Sequence, residues 1–351
     1  MDDVISSLDD LTPELMTCIL RKVNSDISVE TVRVTRSKRL PYSTVARLKL
    51  AYAGDRGSIP NELFLKIIQH ETVDPVVGAA DAEIEFYKSV APLMPSPPIV
   101  RCIDAATSPD AGHSHLLLAD LVDSHYQSAE NQAPEYSDSL RAVSTLARCH
   151  ARWWNDDVLG NGVGSVMSRA EVAEFVGNLE ANVAGFLDVF GGEMSHDQRS
   201  VYRLMLGSAS EIWGRLTKRR GLTLTHGDCH WWNFLFPRND ADDVYIIDWH
   251  LWHVDLGARD LAFLLALGGF AEPRPEIEIE LLRRYYAALI ENDVINYSFD
   301  DLMRDYRWSA IRNLNIPVIF WSQGKHESTI TTALRRAYES FERLDCRELI
   351  A

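Results

Sequence analysis

The period of the apolar positions changes about a third of the way along the chain. Up to about residue 121 they alternate in strand fashion: Val32 and Val34, then Val45, Leu48, Leu50 and Tyr52, then the run Leu63 to Ile68. Alternation over four to eight residues marks strands with one buried face. The polar stretch Arg36–Thr44 predicts the turn between strands at 30–35 and 45–52, and Gly54–Asn61 the turn before the third strand. Thr12-Pro13-Glu14 places an N-cap before a proline at the first helical position, so a helix carrying Leu15, Ile19 and Leu20 inward is predicted there. A helix near 79–91, a Pro-rich turn at Pro92–Pro98 and strands around 99–105 and 115–121 complete this region. From residue 137 the period becomes helical, with Leu140, Val143, Ala147, His150 and Trp154 on one face. Helices continue over 168–190 and 195–218, two short strands interrupt at about 233–248, and the rest reads as helix, ending with Leu334, Ala337, Tyr338, Phe341 and Leu344.

A sheet-rich first third and a helix-rich remainder predict an α+β chain of two lobes, at 1–121 and 122–351. Hydrophobic residues make up 46% of the 351 and charged residues 25%, which suits a globular chain and neither a disordered one nor a disulfide scaffold. Asp plus Glu number 51 against 35 Lys plus Arg, a net charge of −16. With the acidic excess spread widely and no basic stripe, nucleic acid is not an expected partner; the acidity serves solubility or attracts a small cation. The acidic start Met1-Asp2-Asp3-Val4 is unlike a secretory signal, and the longest apolar run, Leu261–Phe270, is too short to span a bilayer, so no membrane partner is expected. Five scattered cysteines, none in a C-x-x-C pair, fit free thiols in a reducing cytoplasm. The expected assembly is a monomer or homodimer.

The densest chemistry lies in Thr225-His226-Gly227-Asp228-Cys229-His230-Trp231-Trp232-Asn233, with Tyr245-Ile246-Ile247-Asp248-Trp249 soon after. Phe234–Pro237 and Val244–Ile247 are apolar strands joined by the polar turn Arg238–Asp243. Pairing Pro237 with Val244 places Asn233 opposite Asp248, and opposed residues lie about 4.5–5.5 Å apart at Cα. One cation then touches both side chains, with Asp228 projecting into the same space. An amide oxygen and carboxylates suit a hard ion such as Mg²⁺, which shares its ligands with phosphates.

This segment resembles the catalytic segment of the aminoglycoside phosphotransferase and choline-kinase-like superfamily of small-molecule kinases, relatives of protein kinases, whose pattern is H-G-D-x-x-x-x-N and then a strand ending I-D-W or I-D-F. The five-residue step from Asp228 to Asn233 is that of the protein-kinase catalytic loop. The resemblance implies a bilobal kinase-like fold and an ATP- and Mg²⁺-dependent transfer of a phosphoryl group to a hydroxylated small molecule. It implies Asp228 as catalytic base and Asn233 and Asp248 as metal ligands. It extends to Lys66 in Leu65-Lys66-Ile67 as the ATP-anchoring lysine, and to Glu83 in Glu83-Ile84-Glu85-Phe86-Tyr87 as its partner. Leu116–Leu121 resembles the hinge strand whose backbone, at Ala119 and Leu121, meets adenine. Gly257-Ala258-Arg259-Asp260-Leu261-Ala262 resembles the segment whose aspartate braces the catalytic loop.

Two features depart from that pattern: the turn Arg36–Thr44 has no glycine, leaving Ser43 and Thr44 as phosphate contacts, and Ala119 replaces a common acidic residue. A catalytically inactive nucleotide-binding protein of kinase fold is the alternative function. A protein kinase is disfavoured because no D-F-G or A-P-E pattern comes after Asp248. A zinc hydrolase built on His226, His230, His250 and His253 lacks an H-E-x-x-H pattern. His230, Trp232, Trp249 and His250 are candidates for lining an acceptor pocket, where tryptophans stack on a sugar or hold an ammonium group; the alternative is that the tryptophans pack the larger lobe's core and the histidines sit on the surface.

Overall fold

A computed structural model of the chain describes residues 3–69, 79–94, 98–108, 112–129, 132–239, 243–268 and 275–350. Parts of the expected turns Pro92–Pro98 and Arg238–Asp243, and the end of the apolar run Leu261–Phe270, lie outside the described residues. The chain divides into two compact units, Met1–Tyr126 with Leu235–Trp252, and Gln127–Phe234 with His253–Ala351.

The first unit is built on five antiparallel strands: β1 (Val29–Arg39), β2 (Ser43–Tyr52), β3 (Glu62–Gln69), β4 (Cys102–Ser108) and β5 (His113–Ala119), in the order β1-β2-β3-β5-β4. Period-two alternation decides the two faces. Leu63, Leu65 and Ile67 of β3 and Leu48 and Leu50 of β2 are buried against helix α1 (Pro13–Arg21), which supplies Met16, Ile19 and Leu20. Thr12 caps α1, accepting from the Leu15 N–H at 3.2 Å. Lys66, out of phase with the buried leucines, stands on the other face. There it meets helix α2 (Ala79–Glu85), which continues as a single π-helical turn over Phe86–Val90.

A second, smaller sheet of order β6-β8-β9 comprises β6 (His125–Gln127), β8 (Phe234–Pro237) and β9 (Tyr245–Ile246). It is fastened to the first unit by backbone bonds, Arg238 N–H to Ser124 O at 2.8 Å and Ile246 N–H to Pro98 O at 2.9 Å.

The second unit contains the helices α3 (Tyr136–Arg152), α4 (Arg169–Phe190), α5 (His196–Gly207), α6 (Ala209–Gly214), α7 (Ala258–Leu261), α8 (Pro275–Glu291), α9 (Phe299–Arg312), α10 (Ile316–Ser322) and α11 (Glu327–Arg343). Of these, α4, α5, α6, α9, α10 and α11 contribute to a core that includes Phe186, Tyr202, Met205, Leu314 and Phe341, and α3 packs against α8. Ser168, Ser195 and Ser298 open α4, α5 and α9 with capping boxes closed by Glu171, Gln198 and Asp301. The expectation of unbroken helix after residue 248 does not hold. His253–Leu256 (β10) pairs antiparallel with Leu222–Thr225 (β7), giving a short ribbon just before the catalytic-type loop. Both strands are four residues long and buried along most of their length, so neither shows an alternating pattern. Among the described residues, no helix is long and apolar enough to cross a membrane.

Candidate active site

In the first unit, two carboxylates converge on one lysine. Lys66 Nζ lies 2.7 Å from Glu83 Oε2 and 2.7 Å from Asp248 Oδ1. Burial alone opposes the lysine's charge, but the two carboxylates outweigh it and hold the ammonium above its ordinary range. Burial likewise opposes ionisation of Asp248, and Lys66 together with His250 Nδ1, 3.2 Å away, brings its carboxyl well below the usual range. Glu83 is 2% exposed, whereas the Asp248 side chain keeps 37% of its surface open. Thus one carboxylate holds the lysine from inside and the other is accessible.

Asp248 owes its place to the two tryptophans just after it in the chain. It adopts a left-handed backbone, φ 66°, at the start of a 3₁₀ turn over Trp249–Leu251. Trp249 is buried, donates its Nε1–H to Ile246 O at 3.0 Å and stacks face to face on Phe86, with ring centres 4.3 Å apart. The Trp252 indole donates to Ala82 O at 2.8 Å. Two tryptophans therefore clamp the helix bearing Glu83 to the turn bearing Asp248. Trp249 is packing, not pocket lining, which corrects its reading as an acceptor contact; no sequence signal pointed to Phe86 as its neighbour.

The phosphate-loop expectation also changes. Arg36–Arg39 belong to β1, and the turn shrinks to Leu40–Tyr42, closed by Leu40 N–H to Ser43 O at 2.8 Å. Ser43 lies two residues from Val45, the partner of Lys66, and so shares its face. Thr44 opposes Arg39 and Ile67, placing its side chain on the α1 side of the sheet. At the expected hinge, Ala119 ends β5 with its N–H bonded to Arg101 O at 2.9 Å. Leu121 O accepts from Ser124 and His125, while the Leu121 N–H has no hydrogen bond among the described residues.

In the second unit, the loop after β7 is shaped by one buried carboxylate. Asp260 Oδ2 accepts from His226 N–H at 2.6 Å and Oδ1 from Gly227 N–H at 3.0 Å. Gly227 has φ 83°, a conformation glycine tolerates without penalty. His150 Nε2 lies 3.2 Å from Asp260 and its Nδ1 2.6 Å from the Tyr285 hydroxyl. Because an ionised carboxylate only accepts, His150 Nε2 is the donor to Asp260. Burial works against the Asp260 charge, yet His150, His226 and the loop amide together keep its carboxyl below the usual range. The bracing role expected of Asp260 is what the structure has.

The braced loop presents Asp228, its amide bonded to His226 Nδ1 at 3.3 Å and its Oδ2 3.3 Å from His230 Nε2. Asn233 is buried, and its Nδ2 donates to Asp228 O at 2.9 Å. With the amide nitrogen engaged, Oδ1 is left as a hard oxygen donor, the kind Mg²⁺ takes. In the first unit, the open carboxylate of Asp248 is likewise a hard oxygen donor of the kind a divalent ion takes. Among the described residues, no group of three or more His, Cys, Asp or Glu is gathered as a metal site. His230 is buried and stacks on Trp232 at 3.6 Å between ring centres, and Gln127 donates to Trp232 O. His250 is partly exposed beside Asp248.

Residues 170–295 match the model of the ecdysteroid kinase-like family. No curated protein sequence matches at a significant level. Among solved structures, the chain is similar to the GDP complex of aminoglycoside 2′-phosphotransferase-IIIa, with a TM-score of 0.55 at 14% identity over 95% of this chain and 99% of that one. It is similar to spectinomycin phosphotransferase in complex with ADP and spectinomycin, with a TM-score of 0.50 at 13% identity over 94% and 98%. It is also similar to an amicoumacin kinase in complex with AMP-PNP, Ca²⁺ and its ligand, with a TM-score of 0.51 at 14% identity over 90% and 89%. The resemblance drawn from the sequence therefore stands, and the fold is the kinase-like fold of the small-molecule phosphotransferases.

Proposed function

We propose that this chain is a small-molecule kinase that moves the γ-phosphoryl group of ATP to a hydroxyl of its acceptor. The observation that carries the reading is Lys66, a cation held at 2.7 Å by an inner carboxylate, Glu83, and an accessible one, Asp248. An incoming phosphate competes with Asp248 for the lysine, while Glu83 keeps the ammonium aimed. The Leu121 N–H and the carbonyls near it are the backbone groups offered to adenine, and Ser43 a hydroxyl offered to phosphate. Asn233 Oδ1 and the Asp248 carboxylate would be the ligands for Mg²⁺, which would neutralise charge on the phosphates. Asp228 accepts the acceptor's hydroxyl proton, and the Asp260 brace keeps that carboxylate in place during the transfer. Phosphoryl transfer needs alignment and charge neutralisation more than covalent help, and these side chains provide both.

For the acceptor, a net charge of −16 favours a cation, and the tryptophans clustered in sequence around Asp228 and Asp248 favour an ammonium group or a sugar face, so the acceptor is a cationic or sugar-like alcohol. A screen of aminoglycosides, amino alcohols, sugars and sterol-like alcohols, read by nucleoside diphosphate release, identifies it. Asp228→Ala lowers turnover about 10²–10⁴-fold, the usual worth of a general base, and leaves nucleotide affinity unchanged. Unaltered turnover in that variant overturns the role given to Asp228. Nucleotide binding with no turnover on any acceptor selects the inactive, nucleotide-binding reading.

A further inference from the structure

One hairpin of this acidic protein is strongly basic. The β1–β2 hairpin carries Arg33, Arg36, Lys38, Arg39, Arg47 and Lys49 against the lone acid Glu30. Along the sequence these cations read as ordinary strand and turn residues, with no basic stripe. The strand register assembles them. Residues directly opposed in a sheet share a face, and Arg33 opposes Lys49, Arg36 opposes Arg47 and Lys38 opposes Val45. Val45 in turn opposes Lys66, and Arg47 opposes Phe64. Lys38 and Lys66 thus stand in one cross-strand row, two strands and about 10 Å apart at the backbone, with the Arg36–Arg47 pair in the row beside it.

Opposed like charges destabilise a sheet unless something answers them. Arg47 is answered by Asp120 at 3.2 Å and Lys49 by Glu62 at 3.2 Å. Arg33, Arg36 and Lys38 are exposed and have no acidic partner among the described residues. The turn that closes this hairpin is three residues long and lacks glycine, so it has little backbone N–H surface with which to cradle a phosphate.

We propose that Lys38 and Arg36 bind the polyphosphate tail of the nucleotide, side-chain cations doing what main-chain amides do in a glycine-rich loop. This rests on the nucleotide reading of the site and extends it to two residues. A linear anion of several phosphates matches a row of cations that ends at Lys66, and it answers Lys38 and Arg36 together. A singly charged ligand does neither.

The test compares neighbours of equal charge on opposite faces. Arg39 opposes Thr44, on the α1 side of the sheet, and is also exposed. Binding of AMP-PNP with Mg²⁺ is measured by calorimetry for the wild type, Lys38→Ala, Arg36→Ala/Lys38→Ala and Arg39→Ala, with circular dichroism confirming the fold of each. Loss of a charge-assisted contact predicts about tenfold weaker binding for Lys38→Ala and a larger loss for the double variant, against less than about twofold for Arg39→Ala. Equal losses in Lys38→Ala and Arg39→Ala reduce the effect to general electrostatics and overturn the proposal. Undiminished binding in the double variant overturns it alone, while a wild type that binds no nucleotide overturns the nucleotide reading with it.

Discussion

The two units each contain a charged side chain at the centre of a hydrogen-bonded network, Asp260 in one and Lys66 in the other, and the networks are built for different ends. Around Asp260 the partners are two loop amides and the buried His150, and the carboxylate is 1% exposed. Nothing there is left over for a ligand, and the product of the arrangement is the shape of the loop carrying Asp228. Around Lys66 the partners are charges, and Asp248 remains open to a competitor. That network is complete without ligand yet exchangeable. The contrast teaches that burial, more than charge, separates a bracing residue from a binding one.

The largest effect expected from breaking this contrast is on stability. Asp260→Ala leaves His226 N–H, Gly227 N–H and His150 without their acceptor, and costs about 3–5 kcal/mol in urea unfolding, as removal of one buried ionic partner does. Asp248→Asn, at an open position with Lys66 still paired to Glu83, costs less than about 1 kcal/mol. Equal costs at the two positions erase the distinction.

A smaller effect sharpens it through pH. The Asp260 carboxyl is lowered in the folded chain, and so is that of Asp255, where burial is opposed by a bidentate bond from Arg312 at 2.6 and 2.7 Å. A lowered carboxyl contributes stability that is fully present above its unfolded value, about 3.9, and is lost as pH falls through its folded value. Lys66 has the opposite sign: its contribution is present below about pH 10.4 and is lost as pH rises through its raised folded value. Stability is therefore flat around neutrality and declines below about pH 4. Asp260→Asn shallows that decline; an acid limb as steep as the wild type's contradicts the assignment.

The candidate residues were legible beforehand because they sit at fixed spacings. Asp228, Asn233 and Asp248 stand in a short stretch with strand signals on either side, and Lys66 shows itself as a lysine inside an apolar strand. What stayed hidden depends on partners distant in sequence. Ribbon β7–β10 joins Thr225 to His253, 28 residues on, through strands too short for a period. Arg36–Arg39 read as turn because their residue types are polar, and only pairing with Thr44–Arg47 makes them strand. The face of Thr44, and the basic rows of the hairpin, come from register, which composition does not encode. Trp249 looked like a ligand contact because it sits next to a catalytic-type aspartate; its stacking on Phe86 makes it core.

Lys66 and Asp248 are, on this account, the seat of a metal-bound nucleotide. Thermal unfolding of the wild type, Asp228→Ala and Asp248→Ala, each with and without AMP-PNP and Mg²⁺, tests this most directly, because a ligand that binds only the folded state raises the midpoint. The account predicts a raised midpoint for the wild type and Asp228→Ala, and none for Asp248→Ala. A wild type indifferent to nucleotide and metal, or an Asp248→Ala protein that responds as the wild type does, contradicts it.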